Sequence, residues 1–349
     1  MKKAAKLATH SGFLAGLIVS VAALVCATPQ QARAQAASAA DWDRVVAAAK
    51  KEGKVTLYTA TVVPVMQRIA ADFAKVYPDI TLEWFRYASG PLMARVDQER
   101  LSGAQSADVV SSTEAGWFED RARENLLIRP VGPDAAKFPP RYQLGAGNAA
   151  AVLSMDALTI MVNTNLVKTP VQSYADLLRP EFTGKLGTLD LLSTTVVAWA
   201  YWLDETYGAG FLEKLAAQKP RLYVSTAGGG QSVSSGEWAV AAYINSGAGV
   251  PVVQSGAPVR VIYVKGALAT TFVGAIAKWG RNPNAAQVLM NYMMSVRGQS
   301  IWNGNGDSAS PLPNIPNSLD ASTLQRIDFS KFPPERVKEM TARWNKLFK

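Results

Sequence analysis

The sequence predicts an α/β protein of two lobes, each a mostly parallel sheet flanked by helices, joined by two hinge crossings. Three observations predict it. Short apolar runs alternate with amphipathic segments from Asp41 onward, a second unit of the same rhythm begins after Pro139-Pro140, and the run Val259–Val264 reads as a return to the first unit. A β-α-β-α-β order of this kind specifies a mostly parallel sheet with helices on both faces.

In chain order, Asp41–Lys51 reads as a helix stopped by Gly53, and Val55–Tyr58 as the first strand. Val65, Ile69 and Phe73 recur at helical spacing in a segment that ends before Pro78. A strand over Ile80–Phe85 follows. Ser89-Gly90-Pro91 then supplies a cap and a first-turn proline for a helix over Leu92–Leu101. Asp108–Val110 is the third strand. The second unit carries expected strands at Ala157–Val162, Leu186–Leu189, Arg221–Val224 and Ala239–Ile244, and helices at Thr195–Tyr207 and Gly210–Ala217. Asn282-Pro283 opens a long helix, and the tail from Phe332 is amphipathic. The expected division is a leader over residues 1–36, a first lobe from 37–150 plus 262–349, and a second lobe from 151–261. Two crossings between lobes make a hinge.

The chain starts with Lys2, Lys3 and Lys6, an apolar run from Phe13 to Val25, and then Ala32-Arg33-Ala34-Gln35-Ala36. That pattern is a secretory signal peptide with cleavage expected near residues 34–36. The apolar run is shorter than the ~20 residues of a spanning helix. Val25 is also too bulky to precede a lipid-modified Cys26. His10 and Cys26 are the only histidine and cysteine, and both lie in this leader. The mature chain is therefore expected to lack Ser-His and Cys-His catalysis, disulfides and His-ligated metal sites. Loss of the four basic residues up to Ala36, with no acid among them, takes the formal charge from +9 to +5. No basic block or aromatic-basic stripe accompanies this surplus, so nucleic acid is not an expected partner. The reading is a non-enzyme without a cofactor, and a monomer.

Six short segments carry a resemblance: Leu57-Tyr58-Thr59-Ala60, Ala107-Asp108-Val109-Val110, Met161–Asn165, Ser235–Val240, Arg281–Ala286 and Ser295–Gln299. In this order they resemble the type 2 periplasmic solute-binding proteins of ABC importers, in the branch that includes ferric-ion, phosphonate and thiamine binders. The resemblance implies a periplasmic protein of the two-lobed periplasmic-binding-protein type II fold that closes on a solute and docks on a membrane permease. It also implies that loops at the C-terminal ends of strands face the cleft.

Those loops nominate Thr59, Ala60 and Thr61 after the first strand, Ser89 and Gly90 before a helix, and Ser112 and Thr113 after the third strand. From the second lobe come Ser193, Thr194 and Thr195, then Gly229, Gly230 and Gln231 of a glycine-rich loop, and Tyr243. Any one such Ser, Thr or Gly is more often a plain helix cap or turn; their convergence on one cleft is what favours a site. Hydroxyls, backbone N–H groups and helix N-termini suit carboxylate or phosphate oxygens, with Arg86 or Arg141 as a cationic clamp. The expected solute is a small organic anion: a carboxylate, phosphonate or phosphate ester. Two alternatives stand beside it, a ferric-ion binder and a ligand-presenting adaptor for a periplasmic sensor. The resemblance implies that ferric binders use adjacent tyrosines shortly after the segment matched by Gly236–Val240. Here Ser246-Gly247 stands at that place and no Tyr-Tyr pair occurs in the chain. Iron would need Tyr87, Tyr201 and Tyr243 to converge.

Overall fold

The computed structural model describes residues 29–104 and 106–349, with backbone alone for 29–40. The leader's basic start, its apolar run, His10 and Cys26 lie outside the described residues. Asp41–Lys349 form one compact unit. Helix α1 (Pro29–Glu52) stops at Gly53, whose φ of 71° only glycine adopts without steric cost. Next come β1 (Lys54–Thr59), α2 (Val63–Val76), β2 (Thr81–Arg86), α3 (Ser89–Ser102), β3 (Val109–Ser112) and α4 (Ala115–Arg123). Val65, Ile69 and Phe73 of α2 are buried together, as their spacing requires. Short strands β4 (Leu127–Ile128) and β5 (Gln143–Leu144) precede β6 (Ala150–Asn163), whose 14 residues are all buried.

The chain continues through β7 (Leu186–Leu189), α5 (Thr194–Tyr207), α6 (Phe211–Ala217), β8 (Arg221–Tyr223), α7 (Thr226–Ser234), β9 (Val240–Asn245) and α8 (Ser246–Gln254). It ends with β10 (Val259–Ile262), β11 (Leu268–Ala277), α9 (Pro283–Met294), α10 (Val296–Asn303), β12 (Gln325–Arg326) and α11 (Pro334–Phe348). The strands lie in the order β2-β1-β3-β11-β6-β9-β7-β8. At one end β2, β1 and β3 are parallel, and at the other β9, β7 and β8 are parallel. Every antiparallel pair among the described strands contains β6 or β11. Of these two, β6 belongs to both sheets, and the strands flanking the pair carry the parallel character expected of each lobe.

The crossings differ from the sequence reading. β6 pairs with β11 over Ala150–Ala157 and with β9 from Leu158 on, so the first crossing lies in mid-strand and not at 150/151. β6 is buried along its whole length, with Ser154, Asp156, Thr159 and Asn163 spread through it, so no change in burial pattern marks where it changes sheets. Val259–Ile262 is not the return crossing. It is β10, paired with Asn163–Ile160 of β6, and the chain returns afterwards along β11. The tail was expected with the first lobe, yet α11 buries Met340 and Trp344 in the core of the second, with Tyr174, Trp199 and Phe211. Amphipathicity shows that α11 has a face to bury; only the fold shows against what.

Several resembling segments turn out to be structural. Asp108 accepts the Thr56 N–H at 2.9 Å and two N–H groups of Asn282 at 2.9 and 3.0 Å, tying β1 to the start of α9. Ser295 caps α10 by accepting the Gly298 N–H at 3.0 Å. Arg297 holds Asp72 of α2 through two bonds of 2.7 and 2.8 Å.

Candidate ligand-binding site

A cavity of about 490 Å³ lies between the lobes and is walled by residues of both. That is within the size range of small-molecule sites. The N-cap residues of five helices line it: Val62 of α2, Ala88 of α3, Ser193 of α5, Ser225 of α7 and Asn245 of α8. Only Ser225 of these accepts a bond from its own helix, from the Gly228 N–H at 3.1 Å. The Asp156 carboxyl accepts the Gly247 N–H in the first turn of α8, whereas the first turns of α2, α3 and α5 have no side-chain cap. Their N–H groups and the positive ends of their dipoles are what an anion seeks. Such convergence follows from topology, because each of these helices begins just after a strand's C-terminal end.

Of the residues nominated from sequence, Ala60, Ser89, Gly90, Thr113, Ser193, Thr195 and Tyr243 line the cavity. Ser89 and Thr113 share a hydroxyl–hydroxyl bond of 2.8 Å that braces α3 against the loop after β3. The lobes approach at this edge: a β-carbon on Gly90 would lie 3.9 Å from the Leu192 carbonyl. Thr195 Oγ1 is buried with no hydrogen-bond partner. Tyr243 is 2% exposed and sits edge-on to Trp199, with ring centroids 5.2 Å apart. Burial pushes its phenol upward, so it is a neutral hydroxyl.

The other seven nominees do not line this cavity. Thr59 and Thr61 are spent on each other: Thr59 Oγ1 accepts the Thr61 N–H at 3.0 Å and bonds its hydroxyl at 2.9 Å. Ser112 accepts the Glu114 N–H in the turn before α4. Thr194 faces a neighbouring depression beside Gly90 and Phe329. Gly229 and Gly230 lie inside α7, not in a loop. A β-carbon on Gly229 would stand 2.7 Å from the Tyr223 ring, so this glycine permits close packing. Gln231 is exposed on a separate depression. Arg141 also lies elsewhere, stacked on Tyr142. Arg86 does line the cavity, at the exposed end of β2.

Other lining residues were not nominated: Asp156, Thr270, Asn245, Ser225 and Thr226 among the polar ones. Asp156 is the most consequential. It sits on β6 two residues before the strand passes from β11 to β9, opposite Thr270. It is 6% exposed, and burial, followed by the charge of Asp307, pushes its carboxyl well up. A signal existed, since Asp156 is the only charged residue between Asn148 and Asn165.

A family profile described as "Bacterial extracellular solute-binding protein" matches residues 55–306. The chain belongs to the bacterial extracellular solute-binding proteins. Solved structures agree in fold. The substrate-binding protein of an ABC transporter from Agrobacterium tumefaciens superposes with TM-score 0.76 at 16% identity, covering 86% of this chain and 96% of its own. AfuA from Actinobacillus pleuropneumoniae, with exogenous fructose-6-phosphate bound, gives 0.70 at 20% identity, covering 85% and 98%. Iron-bound HitA from Pseudomonas aeruginosa gives 0.63 at 19% identity, covering 84% and 99%. In this solute-binding protein the three tyrosines that iron would need stand apart. Tyr87 accepts a bond from Arg95, and Tyr201 donates to the Arg336 carbonyl under the Arg336 guanidinium. Only Tyr243 lines the cleft. Among the described residues, no group of three His, Cys, Asp or Glu side chains is placed to hold a metal.

Proposed function

We propose that this solute-binding protein captures a small organic anion, a carboxylate, phosphonate or phosphate ester, in the interlobe cleft and delivers it to the membrane permease of an ABC importer. The observation that carries this reading is the set of three helix N-termini without a side-chain cap around one cavity, α2 and α3 from one lobe and α5 from the other, with Arg86 on its wall. Backbone N–H groups bind oxyanions without a desolvated cation, and a guanidinium at the rim adds a charge-assisted partner. The only lining acid, Asp156, does not oppose an anion, because burial favours its neutral form. The tetrahedral or planar oxyanion would bridge lobes, and contacts from both sides favour closure by population shift. Export through the leader, with cleavage near residues 34–36, and action as a monomer complete the proposal.

Native mass spectrometry of freshly purified protein, followed by a melting-temperature panel of organic anions, tests it. Carboxylates, phosphonates or phosphate esters should raise the melting temperature by mass action. A rise confined to neutral sugars, or to ferric salts with a tyrosinate colour, would remove the anion reading.

A further inference from the structure

Anion-binding groups account for one part of the cleft wall and leave Asp156 without a counter-charge. An acid is costly to bury unless it is paired, and Asp156 forms no ion pair among the described residues. It accepts hydrogen bonds from the Gly247 N–H and the Ser154 hydroxyl, but its charged and titratable neighbours are an acid and two phenols, so no cation answers its charge. Asp307 lies close enough for its charge to matter and is held by Arg68 at 3.0 Å, while Tyr243 and Tyr263 both sense the Asp156 charge. Gly247 packs beneath it: a β-carbon there would lie 2.4 Å from Asp156 Oδ2, so the α8 start is built to seat this carboxyl. A neutral hydrophobe on β6 would be cheaper if Asp156 served packing alone. Its carboxyl instead lines the cavity, where Thr195 also leaves a buried hydroxyl without a partner.

We propose that the solute is a zwitterion, its anionic group held at the helix N-termini beside Arg86 and a protonated amine paired with the Asp156 carboxylate. This rests on the anion reading above and narrows it. Pairing the two charges answers what each would cost alone: the ammonium supplies the cation that the protein withholds from Asp156, and Asp156 gives the amine a partner in a dry wall. In the empty protein the carboxyl is drawn toward its neutral form by burial. Loading with an ammonium restores the carboxylate and releases the proton to solvent. The position is also suited to signalling occupancy, because Asp156 stands on β6 next to the point where that strand leaves one lobe for the other.

Matched probes separate this from the simpler reading by calorimetric titration: aminoethylphosphonate against ethylphosphonate, β-alanine against propanoate, and phosphoethanolamine against ethyl phosphate. In at least one pair the amine-bearing member should bind about 100-fold more tightly, the scale of a desolvated ion pair. Asp156→Asn, checked for folding by its melting curve, should abolish that preference by weakening the amine-bearing member while leaving the deaminated one unchanged or tighter. If the deaminated members bind as well as their partners, or if the preference survives in Asp156→Asn, the zwitterion inference falls and the anion reading stands. Should no member of any pair bind, both fall together.

Discussion

Asp156 is a buried acid on the cleft wall without a counter-charge and Thr195 a buried hydroxyl without a partner, and each yields a prediction. The Asp156 carboxyl is raised in the folded protein, so the native state keeps a proton that the unfolded chain has lost. Its contribution is fully present below the ordinary carboxylate value of 3.8 and is lost as pH rises toward the raised native value. Urea denaturation between pH 4 and 8 should therefore show a decline with pH in the wild type that Asp156→Asn flattens. Equal slopes in the two proteins would show that Asp156 does not titrate this way. Thr195→Val removes an unpartnered hydroxyl at nearly constant shape. The empty protein should be as stable or gain up to about 1 kcal/mol, while the stabilisation by bound anion shrinks. A large loss of stability without ligand would mean that Oγ1 has a structural partner.

Elements are held by contacts that sequence patterns announce only in part. In α7 the Gly-Gly-Gly run reads as a flexible loop, but Ser225 caps a helix and Gly229 lets that helix close on Tyr223. Tyr223 stacks on Trp238 with centroids 5.5 Å apart and donates its hydroxyl to the Tyr243 carbonyl. Gly229→Ala should cost about 1–3 kcal/mol through overpacking against a buried ring, read from the denaturation midpoint; a neutral outcome would show that the ring has room to move. Helix α11 makes the second case. Trp344 is fully buried, stacked on Phe348 with centroids 4.1 Å apart, and Arg343 pairs with Asp204 and Glu213. Trp344→Ala should cost about 3–5 kcal/mol, as large as any core truncation elsewhere in the second lobe. A loss below 1 kcal/mol would mean that α11 is dispensable to that lobe.

For the whole molecule, the cleft is walled by both lobes, while among the described strands only β6 belongs to both sheets. A solute touching both walls should compact the protein, and small-angle scattering with and without a saturating anion should show a smaller radius of gyration on loading. At 100 times Kd the same solute should add about 2.7 kcal/mol of stability. Stabilisation without any change in radius would assign the binding energy to one lobe and exclude hinge closure as the consequence of binding.

The residues alone determined much of this. Periodicities of 2 and 3.6 placed most strands and helices, because those patterns depend only on which side chains must leave water. Ser193, Ser89, Gly90 and Thr113 were legible as cavity-lining residues because strand–loop–helix order puts such positions at the C-terminal edge of a sheet. Tertiary structure decided what local pattern leaves open. It decided that β6 belongs to both sheets, since a strand buried along its whole length has no change of pattern where its partner changes. It placed α11 on the second lobe, since an amphipathic face does not name its neighbour. It turned Thr59 and Thr61 toward each other and set Asp156 on the wall instead. Whether a hydroxyl or carboxyl faces a ligand depends on which other polar group reaches it first, and that is settled in three dimensions.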